Sequence, residues 1–91
     1  MMCSQCLVGG RVQGVFYRAS AAQRARQLGV RGYARNLADG RVEVLACGEP
    51  EAVGEFVQWL WIGSSASKVT SVSVTDAPCD PAAVPRGFSI A

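Results

Sequence analysis

Ninety-one residues make one domain, residues 1–91, with no room for a second. The net charge of +2 is too small to argue for a nucleic-acid binder, and the absence of histidine removes the commonest general base and metal ligand. No apolar run approaches the ~20 residues that span a bilayer, and Met1-Met2-Cys3-Ser4-Gln5-Cys6 lacks the basic start of a secretory leader, so the expected location is the cytoplasm.

Cys6-Leu7-Val8 opens a predicted strand that runs to about Val12. A loop with Gly14 follows. From Arg18 the pattern turns helical, with Ala21, Ala22, Ala25 and Leu28 on one face and Gly29 as a natural stop. Val30 to Leu37 reads as a second strand, and Ala38-Asp39-Gly40 carries a hairpin signal. Val42 to Cys47 is the third strand, with Val42, Val44 and Ala46 on one face. Pro50 suits the first turn of a second helix whose apolar stripe is Val53, Phe56, Val57 and Leu60, and Gly63 ends it. Of Trp59 and Trp61, two apart on that helix, one packs and the other is half exposed. Lys68 to Thr75 is a fourth strand with valines in both alternating sets; Val72 and Val74 are expected to face inward. Pro78, Pro81 and Pro85 mark an irregular connection to a short final strand at Gly87-Phe88-Ser89-Ile90.

The order β-α-β-β-α-β implies two right-handed units that interleave into an antiparallel sheet of order 4-1-3-2, with both helices on one face. This is an α+β fold, a ferredoxin-like α/β sandwich with a short C-terminal strand. The first and second strands then run parallel. The loop after strand one and the end of strand two share one edge, so topology alone brings Asn36 to the loop that ends at Arg18.

That loop is the candidate site. A strand that stops in a Gly-containing loop and restarts as a helix aims backbone N–H groups at one point, and the helix dipole adds to them. Donors are expected from about Gly14 to Arg18. The Arg18 guanidinium matches phosphate oxygens bidentately, and Asn36 can both donate to and accept from a water. Such a site holds a phosphoryl group and places a water, but it cannot readily protonate a poor leaving group. A matching substrate leaves as a carboxylate from a mixed anhydride. Read blandly, the glycines serve a turn, Arg18 is a solvated helix-start residue and Asn36 caps a strand end. Residues 1–46 hold seven arginines against Asp39 and Glu43. They either draw in an anion or form a solvated face.

Cys3 and Cys6 have C-x-x-C spacing, which suits a redox pair or half a zinc site. Cys47 and Cys79 form no second such pair, and Cys3 and Cys6 enter a strand, so incidental thiols are the expectation and no metal site is assigned.

Val8-Gly9-Gly10-Arg11-Val12-Gln13-Gly14-Val15-Phe16-Tyr17-Arg18 closely resembles the first signature of the acylphosphatases. Gly32-Tyr33-Ala34-Arg35-Asn36-Leu37-Ala38-Asp39-Gly40-Arg41-Val42, with Gly48 beyond it, resembles the second. The resemblance covers nearly the whole chain, including its Gly-Phe-x-Ile ending. It implies the α/β sandwich and hydrolysis of acyl phosphates without metal or cofactor. It implies that Arg18 binds the phosphate and Asn36 orients the attacking water. The candidate phosphate-binding set is Gln13, Gly14, Val15, Phe16, Tyr17 and Arg18; the catalytic pair is Arg18 and Asn36. The expected partner is a small-molecule acyl phosphate substrate, with no nucleic acid and no membrane, and the protein is expected to be a monomer. A non-catalytic phosphate-binding module would use the same loop. A nucleic-acid module would carry aromatics on strands one and three, which carry none. Two departures stand out. Tyr17 replaces the commoner Phe or Met, and its hydroxyl needs a partner. Ser64-Ser65 stands where the family often has Gly-Pro, which leaves that loop's rigidity open. Val15 is expected to pack beneath the loop, while Phe16 either packs or meets the acyl group.

Overall fold

The computed structural model describes all of residues 1–91. Its elements are β1 (Met2–Arg11), α1 (Tyr17–Leu28), β2 (Arg31–Asn36), β3 (Val42–Gly48), α2 (Pro50–Ile62), β4 (Lys68–Asp76) and β5 (Phe88–Ile90). The sheet order is β4-β1-β3-β2-β5. The four long strands pair antiparallel as expected, whereas β5 joins the β2 edge in parallel, so the sheet is mixed.

The helical face of the sheet carries the main core. Cys6 and Val8 of β1, Ala34 of β2, and Val42, Val44 and Ala46 of β3 are buried there. Ala21, Ala22 and Ala25 cover them from α1, and Val53, Phe56 and Leu60 from α2. The small alanine face seats α1 directly on the strands. Phe88 meets the Phe56 ring edge-on at 5.5 Å between centroids, which docks β5 against α2. Trp59 packs between Phe56 and Tyr17, and Trp61 is half exposed, the division expected from their spacing.

Three sequence expectations need correction. First, β1 begins at Met2, four residues before Cys6, because Met2 to Gln5 already pair with Leu45 to Gly48. Polar Ser4 and Gln5 obscure the strand pattern there. Second, Val74 is exposed, and the valines of β4 that pack on the core are Val69 and Val72. Val74 pairs with Cys6 and so shares the face of Val72, where it lies uncovered; a bulge explains the place of Val69. Gly9 pairs with Ser71 but Gly10 pairs with Val69, so Thr70 is skipped and the alternation changes phase.

Third, the cysteines are not idle. Cys3 and Cys47 are register partners on neighbouring strands and form a disulfide. Cys6 is buried and free. Positions 3 and 6 fall on opposite faces of a strand, so they cannot pair with each other. The disulfide lies on the face away from the helices. There residues 77–87 must cross from the β4 edge to the β5 edge, and Cys3, Cys47 and Val84 form a small second core. The Cys79 sulfur lies 3.0 Å from that of Cys3. Arg31 fastens the crossing segment through Nε to the Pro85 carbonyl at 2.6 Å. Cys47→Ser should lower unfolding free energy by about 2–4 kcal/mol, since the crosslink closes a long loop. Urea melts of the two proteins, each with and without reductant, check this: reductant should affect the parent and not the variant.

Candidate active site

β1 ends at Arg11 and α1 begins at Tyr17, so residues 12–16 form the junction. Val12 and Val15 are buried and anchor it from beneath, as expected for Val15. Gly14 has φ 74°, the left-handed region that glycine enters without penalty. Phe16 also lies there, at φ 61°, although it is not glycine. It is the residue preceding α1 and makes no side-chain cap. Its ring is 81% exposed, so it does not pack in the core. None of the backbone N–H groups from Gln13 to Ala19 donates to a protein acceptor; the first helical bond is Ser20 N–H to the Phe16 carbonyl. A recess of about 270 Å³ opens here, lined by Val12, Gly14, Phe16, Tyr17, Arg18, Ala19 and Ile90.

Each neighbouring side chain has a positional reason. The Gln13 amide donates to the Leu37 and Arg41 carbonyls, at 2.8 and 3.0 Å, and straps the loop to the β2–β3 hairpin. Arg18 Nη1 donates to the Ala91 carbonyl at 2.8 Å, and Ala91 N–H donates to the Ala34 carbonyl of β2. Asn36 lies between these ties, two residues beyond Ala34 and one before Leu37. It pairs with Val42, which pairs with Val8, and so shares their helical face at its rim. Asn36 is exposed there and is not among the residues lining the recess. The loop and the end of β2 thus reach one edge, as the topology required.

Tyr17 is buried, and its hydroxyl donates to the Leu60 carbonyl at 2.8 Å. That carbonyl lies in the last turn of α2, where intrahelical donors run out. Burial pushes the phenol well above its ordinary range, and the neighbouring Cys6 thiol adds to this. Burial also pushes the Cys6 thiol up to about 11. Both shifts favour the protonated form in the native state. Stability is therefore full below the unfolded-state pKa values, about 8.5 for Cys and 10 for Tyr. It falls as pH rises past them, because the unfolded chain then releases protons that the fold retains. Urea midpoints taken from pH 7 to 10.5 should decline above about pH 9, and Tyr17→Phe should shallow the upper part of that decline.

Five other arginines, Arg24, Arg26, Arg31, Arg35 and Arg41, have side-chain partners. Arg35 pairs with Glu43 at 2.7 Å and Arg41 with Asp39 at 2.8 Å. Asp39 is held below its usual range by the Arg41 hydrogen bond. Arg26 and Arg31 donate to carbonyls of the C-terminal segment. The excess of positive charge in the first half is therefore largely committed, and Arg18 is the arginine that borders the recess. Sequence reading missed Ser64, whose Oγ donates to the Val15 carbonyl at 2.6 Å.

Fold and junction together define a ferredoxin-like α+β domain whose first strand ends in a run of backbone N–H groups without protein acceptors. The chain matches the Acylphosphatase family over residues 4–90. It is 54% identical over 87 residues to the acylphosphatase of Halorhodospira halophila, covering 96% of this chain and 91% of the relative. The crystal structure of acylphosphatase from Bacillus subtilis superposes with a TM-score of 0.93 at 38% identity, covering 100% of this chain and 99% of that one. An acylphosphatase from Coxiella burnetii gives 0.90 at 32% identity, covering 99% and 92%. The chain belongs to the acylphosphatase family, and its activity is the hydrolysis of acyl phosphates. No helix is long and apolar enough to cross a membrane.

Proposed function

We propose that the chain hydrolyses small acyl phosphates by in-line attack of a water held by Asn36 on a phosphoryl group held by the junction N–H groups and Arg18. The observation that carries this reading is the run of N–H groups without acceptors from Gln13 to Ala19, ending beside Arg18 in one recess. Such a cluster at a helix N-terminus favours a polyanion. The guanidinium has five N–H donors, and the tie to Ala91 uses one of them.

Water oxygen attacks phosphorus, and the bond from phosphorus to the acyl oxygen breaks. The carboxylate departs unprotonated, and the water proton passes to a phosphoryl oxygen to give dihydrogen phosphate. A carboxylate needs no general acid, which fits a site without histidine. Phosphoryl transfer of this kind is mostly positioning and charge stabilisation. The acyl part lies against the exposed Phe16 ring and Ile90 at the rim of the recess. Every residue invoked comes from one chain, so the reaction needs no second copy.

Hydrolysis of an aryl acyl phosphate, followed with and without a chelator, tests the reading. Hydrolysis that resists the chelator and is inhibited competitively by inorganic phosphate supports it. A folded protein that binds phosphate without turnover would replace the enzyme by a phosphate-binding module.

A further inference from the structure

The last turn of α2 and the loop that follows it touch the junction at three points. The Leu60 carbonyl accepts from Tyr17. Gly63 lies so close to Tyr17 that a Cβ there would stand 2.9 Å from the ring. Ser64 Oγ donates to the Val15 carbonyl. Ser64 is itself held, because its carbonyl accepts from Ser67 N at 3.0 Å and Ser67 Oγ at 2.7 Å.

We infer that Ser64 is a positioning residue for the reaction: by holding the Val15 carbonyl it fixes the Val15–Phe16 peptide plane and aims the Phe16 N–H into the phosphate cradle. A trans peptide is planar, with its C=O and N–H on opposite sides. The carbonyl turns towards Ser64, so the N–H turns away from it. Ser64 borders a separate polar groove with Ser20, Gln23, Arg24 and Gln27, and does not line the recess. The side away from Ser64 is therefore the side of the recess. Phe16 adds the reason a brace is needed. Its left-handed backbone is disfavoured for a residue with a Cβ, so the unbraced peptide would relax by rotating.

This inference rests on the phosphate reading above, and the experiment separates the two. The probes are inorganic phosphate and an aryl acyl phosphate, applied to the parent, Ser64→Ala, Ser64→Thr and Ser67→Ala. Ser64→Ala should raise the phosphate inhibition constant and KM together by roughly 3–10-fold, the range set by one net hydrogen bond. Its kcat should stay within about twofold, because the donor serves ground and transition states alike. In amide NMR spectra the phosphate-induced shift of Phe16 N–H should shrink more than those of Tyr17 and Arg18. Ser64→Thr should restore both readouts. Ser67→Ala should move them the same way by less, which keeps the test intact if Ser64→Ala folds poorly. An unchanged inhibition constant and Phe16 response in Ser64→Ala would overturn the inference. So would a uniform loss at all loop amides that threonine fails to restore. A parent protein that hydrolyses nothing defeats the reaction scheme alone, because the phosphate titration of Phe16 still reports on the brace.

Discussion

Asn36→Ala should lower turnover of an aryl acyl phosphate on the order of 100- to 1000-fold while leaving inhibition by inorganic phosphate nearly unchanged. The split follows from the two jobs the proposed scheme separates. In that scheme the junction N–H groups and Arg18 hold phosphate in ground and transition states. In the same scheme Asn36 meets only the water. It is exposed at the rim of β2, and its side chain forms no hydrogen bond that holds the fold, so truncation should shift stability within about 0.5 kcal/mol. Asn36→Asp sharpens the result. A carboxylate can still accept from water, but it stands beside a polyanion, so both turnover and phosphate affinity should fall. Steady-state kinetics with phosphate as inhibitor measure both. A loss of phosphate affinity in Asn36→Ala equal to the loss of turnover would move Asn36 from the water to the phosphate.

Arg18→Lys should abolish most activity, with kcat/KM reduced at least about 100-fold and phosphate inhibition weakened in parallel. Charge is conserved, so the expected loss comes from geometry. Arg18 Nη1 is occupied by the Ala91 carbonyl, which steers the planar group and leaves its remaining donors for phosphate oxygens. An ammonium is one point charge that either follows the tail or follows the phosphate. Loss of the tie should also loosen β5, which has three residues and pairs only with β2. Hydrogen exchange at Ala91, whose amide bonds to the Ala34 carbonyl, reports on that consequence separately from the kinetics. A near-parental rate in Arg18→Lys would remove Arg18 from the reaction.

Most of the scaffold was legible because its signals are local or topological. The alanine face of α1, the stripe of α2 and the Asp-Gly hairpin each follow from a period or a turn preference. That the end of β2 and the loop before α1 lie at one edge of the sheet followed from strand order. The two long signatures added the chemistry. The misreadings have a common origin in non-local pairing. Ser4 and Gln5 look like a terminus until β3 is placed beside them. Val69 joins Val72 on the core face because one skipped residue opposite Gly9 and Gly10 shifts the phase of β4. Cys3 finds Cys47 through register, across 44 residues of sequence.

By itself, then, the chain determined the fold class and the order of the four long strands, because periodicity, turn chemistry and right-handed connections depend on neighbours along the chain. Tertiary structure decided which groups hold the loop in shape. The partner of the Tyr17 hydroxyl, the strap from Gln13, the tail carbonyl under Arg18 and the hydroxyl of Ser64 against Val15 all join residues at least 24 positions apart. Hydrogen bonds are short and directional, so such pairs exist only once packing has brought donor and acceptor within about 3 Å.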